Sequence, residues 1–181
     1  ILCTMHVLPR TYFGNPILRT EARNLSRSRI TDLKTWELIK AMFYTMRRVK
    51  GIGLAAPQIG KSIKLAVLGL RPTHLHPDLE RVEPTVIINP RILRYGKKRS
   101  YDWEGCLSFP DARGLVPRPT SIDIEYTDER GRKVRRTITS YTARVFQHEI
   151  DHLYGTLYVD RMKDMTTLMT LKEFEKRVLK T

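Results

Sequence analysis

With 181 residues and 41% hydrophobic content, the chain can bury one core and reads as a single domain over residues 1–181. No apolar run approaches the ~20 residues that cross a bilayer, and two cysteines, Cys3 and Cys106, are too few for a disulfide scaffold. The net charge of +14 fits a polyanionic neighbour such as RNA, a ribosome or an acidic membrane surface, and it equally fits a solvated basic surface, because the cations are spread over residues 47–50, 97–99 and 130–136 without interleaved aromatics. The sequence opens on Ile1, so it reads as a processed or trimmed chain whose targeting segment is expected to lie outside it.

Residues 1–30 look irregular, with Gly14-Asn15-Pro16 as a turn and Pro16-Ile17-Leu18 packing behind it. Residues 31–50 read as an amphipathic helix capped by Thr31 or Asp32. Leu33, Trp36, Ile39, Ala41, Phe43, Met46 and Val49 form its apolar stripe, and Gly51 ends it as the C′ glycine. Residues 51–60 form a glycine-bounded apolar loop with one uncharged polar side chain, Gln58. The glycine spacing fits neither a phosphate loop nor a dinucleotide fingerprint, so the segment is either a ligand approach or a tight packed turn.

Residues 63–70 and 85–89 read as buried strands. The polar segment 71–84 between them carries His74 and His76, which read as plain surface rather than ligands. Residues 103–110 read as a loop. Residues 122–127 and 133–139 alternate as a hairpin around the turn Asp128-Glu129-Arg130-Gly131. A helix starting near Ser140 and ending at Gly155 follows, then a last helix over residues 163–180.

The helix after Ser140 contains His148-Glu149-Ile150-Asp151-His152, the pattern H-E-x-x-H. Residues four apart share a helix face, so the two imidazoles can meet one metal ion. Glu149 stands about 100° around from His148, placed to exchange a proton with a water at that metal. Tyr141, Val145, His148 and His152 fall on one face, and Phe146, Ile150, Leu153 and Leu157 on another. A helix apolar on two faces is buried, where uncompensated imidazoles and carboxylates would be costly. Cys106, preceded by Gly105, is the candidate third ligand, the alternative being a buried structural thiol. Cys-His-His suits Zn²⁺ or Fe²⁺ with one position open, and Glu104 is a candidate partner for a ligand's far side.

Three segments together, Gly51 to Gln58 (GIGLAAPQ), Glu104 to Ser108 (EGCLS) and Gln147 to His152 (QHEIDH), resemble the signature motifs of the peptide deformylases, in the same order. Gly14 to Arg19 also resembles that family's N-terminal segment, so the likeness runs from about residue 5 to 160. It implies an α+β fold, with antiparallel strands in small sheets around a central metal-binding helix and a C-terminal helix. It also implies a metal-dependent hydrolase that removes the formyl group from N-formyl-methionine of new polypeptides and releases formate.

By this resemblance, Cys106, His148 and His152 hold one divalent metal, Fe²⁺ natively, with Zn²⁺, Ni²⁺ or Co²⁺ possible in purified protein. Glu149 moves the proton, and the Gln58 amide with the Leu107 backbone N–H receives the oxyanion. Ile52, Tyr141, Val145 and the His148 ring are expected to line the methionine pocket. The peptide backbone is expected near Gly53 and Gly105, and Arg113 against the downstream peptide. Segment 71–84 looks like an insertion, and Arg144 is an unexpected charge beside the pocket.

The expected partners are N-formyl-methionyl nascent peptides and, through the basic surface, ribosomes, with no membrane and no specific DNA. The expected location is cytoplasmic for a bacterial source, and mitochondrion or plastid for a eukaryotic one. The alternatives are a general zinc peptidase and a basic ribosome- or RNA-binding module with a structural metal site. A structural site would normally be closed by four ligands.

Overall fold

The computed structural model describes residues 6–72 and 79–180. Cys3, His74 and His76 lie outside the described residues. The strands are β1 (Gly53–Ala55), β2 (Leu65–Leu70), β3 (Val82–Tyr95), β4 (Arg99–Cys106), β5 (Phe109–Pro119), β6 (Ser121–Thr127), β7 (Lys133–Thr139) and β8 (Met169–Thr170). The helices are α1 (Arg27–Ile30), α2 (Leu33–Arg48), α3 (Ser140–Leu153), α4 (Tyr158–Arg161) and α5 (Leu171–Phe174). Two antiparallel sheets result, one in the order β1-β2-β3-β6-β7 and one in the order β4-β5-β8.

The larger sheet is covered on both faces. Strand side chains alternate between faces, so Leu54, Leu65, Val67, Val86 and Ile88 pack against Ile39, Met42 and Met46 of α2. Their neighbours Ala55, Ala66, Leu68, Leu70 and Ile87 pack on the other side, against Val145, Phe146, Ile150 and Leu153 of α3. This is why β2, Leu-Ala-Val-Leu-Gly-Leu, is apolar at both parities. The motif helix α3 is therefore central, with the large sheet on one side and β5 of the small sheet on another.

Four expectations change. The stretch containing Cys106 is not a loop: it forms the ends of β4 and β5 around a tight turn at Leu107 and Ser108. Helix α2 is capped by Asp32, whose Oδ1 accepts from the Thr35 N–H at 2.7 Å, but its buried stripe is Thr35, Ile39, Met42, Thr45 and Met46. Leu33 and Trp36 point outward, 70% and 44% exposed. The left-handed residue that ends α2 is Lys50, at φ 56°, and Gly51 is the next residue, donating to the Met46 carbonyl at 2.8 Å. The last helix begins at Leu171, because residues 163–170 hold a 3₁₀ turn (Met165–Thr167) and β8, which pairs with Ala112 and Arg113. It continues as a π-helical turn over Glu175–Leu179.

Candidate metal centre

Two periodicities converge on one point. Along β4, Glu104 and Cys106 are two residues apart and reach α3 together, with a register irregularity between them. Along α3, His148 and His152 are four apart and share a face. Cys106 Sγ lies 3.2 Å from His152 Nε2, and His148 Nδ1 lies 2.9 Å from Glu104 Oε2, which leaves the other His148 nitrogen for a metal. One ligand atom from each of Cys106, His148 and His152 falls within 4.8 Å of the others.

The residues fit a metal. The Cys106 Sγ and the two ring nitrogens are a Zn²⁺ or Fe²⁺ donor set, and Cys106 and His152 are nearly inaccessible to solvent. Burial alone would push the Cys106 thiol up, yet the facing His152 and His148 hold it well below the usual thiol range. His148 moves the other way: burial lowers it, and Cys106 and Glu104 raise it well above an ordinary imidazole. The cluster thus gathers a thiolate and positive charge, the arrangement that a divalent cation replaces.

Glu149 is 4% exposed, and its Oε2 has no hydrogen-bond partner among the described residues. Burial pushes its carboxyl up to about 6, against the opposing pull of His148 and His152. A carboxyl in that range can both take and give a proton near neutral pH. A methyl group on Gly53 would collide with this carboxylate, so the glycine in β1 is what lets Glu149 lie flat against the strand.

The second expected carboxylate, Glu104, does more than orient His148. Arg118 forks onto both of its oxygens, at 2.6 and 3.0 Å, and Arg144 Nη1 donates to Oε1 at 2.6 Å. Arg118 also donates to Asp151 Oδ2 at 2.8 Å, and Arg161 Nη2 grips Asp151 Oδ1 at 2.7 Å. Burial would raise the Glu104 carboxyl, but Arg118 and His148 hold it far below the usual range.

Sequence reasoning missed Arg118 altogether, and it placed Asp151 on a buried helix without finding its partners. Nothing in the spacing showed that a strand and a helix bring the two together. Gln147 was missed too: its Nε2 donates to the Pro119 and Ala143 carbonyls at 2.9 Å and ties α3 to the end of β5. Arg144 is not in the pocket lining as a free charge; it is 4% exposed and holds Glu104, the Val116 carbonyl and the Ser100 carbonyl.

Gln58 is buried beside the cluster. Its Oε1 accepts from the Ala55 N–H at 2.8 Å, which turns its Nε2 toward Cys106 Sγ, 3.4 Å away. A methyl on Gly51 would come within 2.8 Å of the Leu107 Cδ1, so the GIGLAAPQ and EGCLS segments lie side by side. β1, which carries Gly53, and β4, which carries Gly105, each sit at the edge of their sheet. Arg113 lies across Gly105 and donates to the Ala112 and Pro110 carbonyls at 2.8 and 3.2 Å. Val145 and the partly buried Ile52 and Tyr141 pack in one cluster. Tyr141 also lines a polar cleft of about 460 Å³ with Ser100, Asp102, Thr139 and Arg144.

Comparison with known proteins decides the family. A sequence model of the polypeptide deformylases matches residues 7–167. The chain belongs to the polypeptide deformylase family. It is 39% identical over 174 residues to peptide deformylase 2 of Nostoc sp., covering 96% of both chains. It is 45% identical over 151 residues to a peptide deformylase of Leptospira biflexa, covering 83% of this chain and 84% of that one. Among solved structures, a class I type b peptide deformylase of Acinetobacter baumannii with bound Met-Ala-Ser superposes with a TM-score of 0.85 at 35% identity, over 87% of this chain and 99% of that one. The actinonin complex of a Synechococcus elongatus peptide deformylase gives 0.79 at 37% identity, over 94% of this chain and 85% of that one. These deformylases are enzymes, and the α+β architecture is shared with them. No helix among the described residues is long and apolar enough to cross a membrane.

Proposed function

We propose that this chain, as one catalytic domain, removes the formyl group from N-formyl-methionyl nascent polypeptides and releases formate. The observation that carries the reading is the buried Cys106-His148-His152 cluster, with the Glu149 carboxylate unpartnered beside it and Gln58 turned toward it. Cys106, His148 and His152 would hold one divalent metal, which would supply Lewis acidity and activate a water near neutral pH. Fe²⁺ is the expected native ion.

Every other part of the mechanism belongs to the chain. Glu149 accepts a proton from the attacking water at its unpartnered Oε2 and returns it to the leaving amine as the formyl C–N bond breaks. Gln58 is oriented by Ala55, so its Nε2 can donate to the developing formyl oxyanion, with the Leu107 backbone N–H as the second donor. The buried arginines around Glu104 fix His148 and exclude water from behind the site. The free edges of β1 and β4 offer Gly53 and Gly105 to an extended peptide, as in strand addition. Ile52, Val145, Tyr141 and the His148 ring receive the first side chain, and Arg113 flanks the path of the following residues. The Met-Ala-Ser seated in the Acinetobacter relative supports a peptide in this groove.

The bacterial sources of the relatives support a cytoplasmic setting, and the charge of +14 supports work close to the ribosome. The deciding assay follows formate and peptide fragments from formyl-Met-Ala-Ser. Formate without backbone cleavage is expected; internal cleavage without formate would make the chain a peptidase.

A further inference from the structure

The outward turn of Leu33 and Trp36 leaves two large apolar side chains in water on the first turns of α2. Residues three and four apart share a helix face, and Lys40 Nζ sits 5.4 Å from the centre of the Trp36 ring. The turn between β6 and β7 packs here as well: a methyl on Gly131 would lie 3.5 Å from the Thr31 side chain. Cations surround the pair. Arg27 and Arg29 precede it, Lys34 lies between, and Arg130, Arg132 and Lys133 come from the adjoining turn; all are exposed.

Two of the four nearby carboxylates are engaged within the fold. Asp32 caps α2 and pairs with Arg29. Asp128 accepts from the Arg130 and Arg132 N–H groups and from Arg132 Nε. Glu37 and Glu129 stand against the cations, so the patch remains positive.

We infer that this surface, the Leu33–Trp36 face of α2 with the β6–β7 turn, docks single-stranded RNA. A cationic track for phosphates with one aromatic ring at its centre is the arrangement that binds unpaired nucleotides without sequence preference. An anionic membrane fits less well. The opposite face of α2 is buried in the core, and two side chains are a small anchor for a bilayer. Twelve residues separate Trp36 from the end of α2, which places its ring ~18 Å along the helix from the turn into Gly51. RNA bound there leaves the catalytic groove open. The inference does not depend on the catalytic reading.

Fluorescence anisotropy of the full chain with a labelled mixed-sequence RNA ~20 nucleotides long tests it. Binding in the micromolar range near 0.1 M salt is expected. Trp36→Ala should weaken it ~10-fold. The pair Arg130→Glu and Lys133→Glu should weaken it further and reduce the salt slope by ~2. Formate release from a formyl-Met peptide should be unchanged in all of them. No binding overturns the inference, as does binding that Trp36→Ala leaves within about twofold. So does a wild-type chain that prefers phosphatidylserine vesicles to RNA.

Discussion

Glu104 Oε2 meets His148 Nδ1 at 2.9 Å, and the same carboxylate is held by Arg118 and Arg144. The strand that carries Cys106 therefore orients His148 on the helix. Replacing Glu104 by Ala should lower metal affinity by about 10- to 100-fold. It should also cost about 3–5 kcal/mol of stability, because two buried guanidinium groups lose their counter-charge. Metal titration and urea unfolding measure the two effects separately; an unchanged affinity would show that His148 is oriented by something else.

Glu149→Gln keeps the shape of the site and removes the carboxyl proposed to carry the proton. Turnover should drop by about 10²–10⁴ while the metal stays bound. Kinetics on protein of measured metal content check this, and near-normal turnover would remove Glu149 from the mechanism.

The same variant has an opposite effect on folding. In the metal-free protein, burial lifts the Glu149 carboxyl from 4.5 to about 6, so the folded state favours the protonated form. Stability then falls as pH rises through that interval, and the loss is complete above it. Metal-free Glu149→Gln should exceed metal-free wild type by up to about 2 kcal/mol at pH 7, with no advantage below pH 4.5. Unfolding titrations at the two pH values decide it.

Gly53→Ala places a methyl where the Glu149 carboxylate lies. A loss of about 1–3 kcal/mol in stability is expected, with a larger proportional loss in kcat than the stability change explains. An alanine variant with normal kcat would show that Glu149 is free to move.

Chelation should abolish formate release and lower the melting temperature, and both should return on adding Fe²⁺ or Zn²⁺ under reducing conditions. A melting temperature indifferent to chelator would place the metal outside the Cys106-His148-His152 cluster.

The Cys106-His148-His152 cluster and the Glu149 beside it were legible because each carries its chemistry in its type and spacing. H-E-x-x-H sets the face of a helix, and a lone cysteine behind a glycine is a rare donor. The helix and hairpin around them followed from periodicity. What stayed hidden depends on distance in space. Arg118 and Asp151 are ordinary charges until β5 and α3 are packed together. The α2 stripe was misassigned because Leu33 and Trp36 are apolar by type, while the position facing the core is filled by Thr35. The 103–110 stretch looked like a loop because its glycine and proline mark a tight turn, yet strands run right up to that turn.

The split origin of the Cys106-His148-His152 cluster sets an order of events during synthesis. Cys106 comes from the small sheet, while His148 and His152 come from a helix made some forty residues later. Arg118, between them in the chain, clamps a carboxylate from each side. While the polypeptide is still growing short of His152, Cys106 is a bare thiol with no partner for an ion. This protein, which acts on emerging chains, thus gathers its own reactive cluster only once His152 has been made.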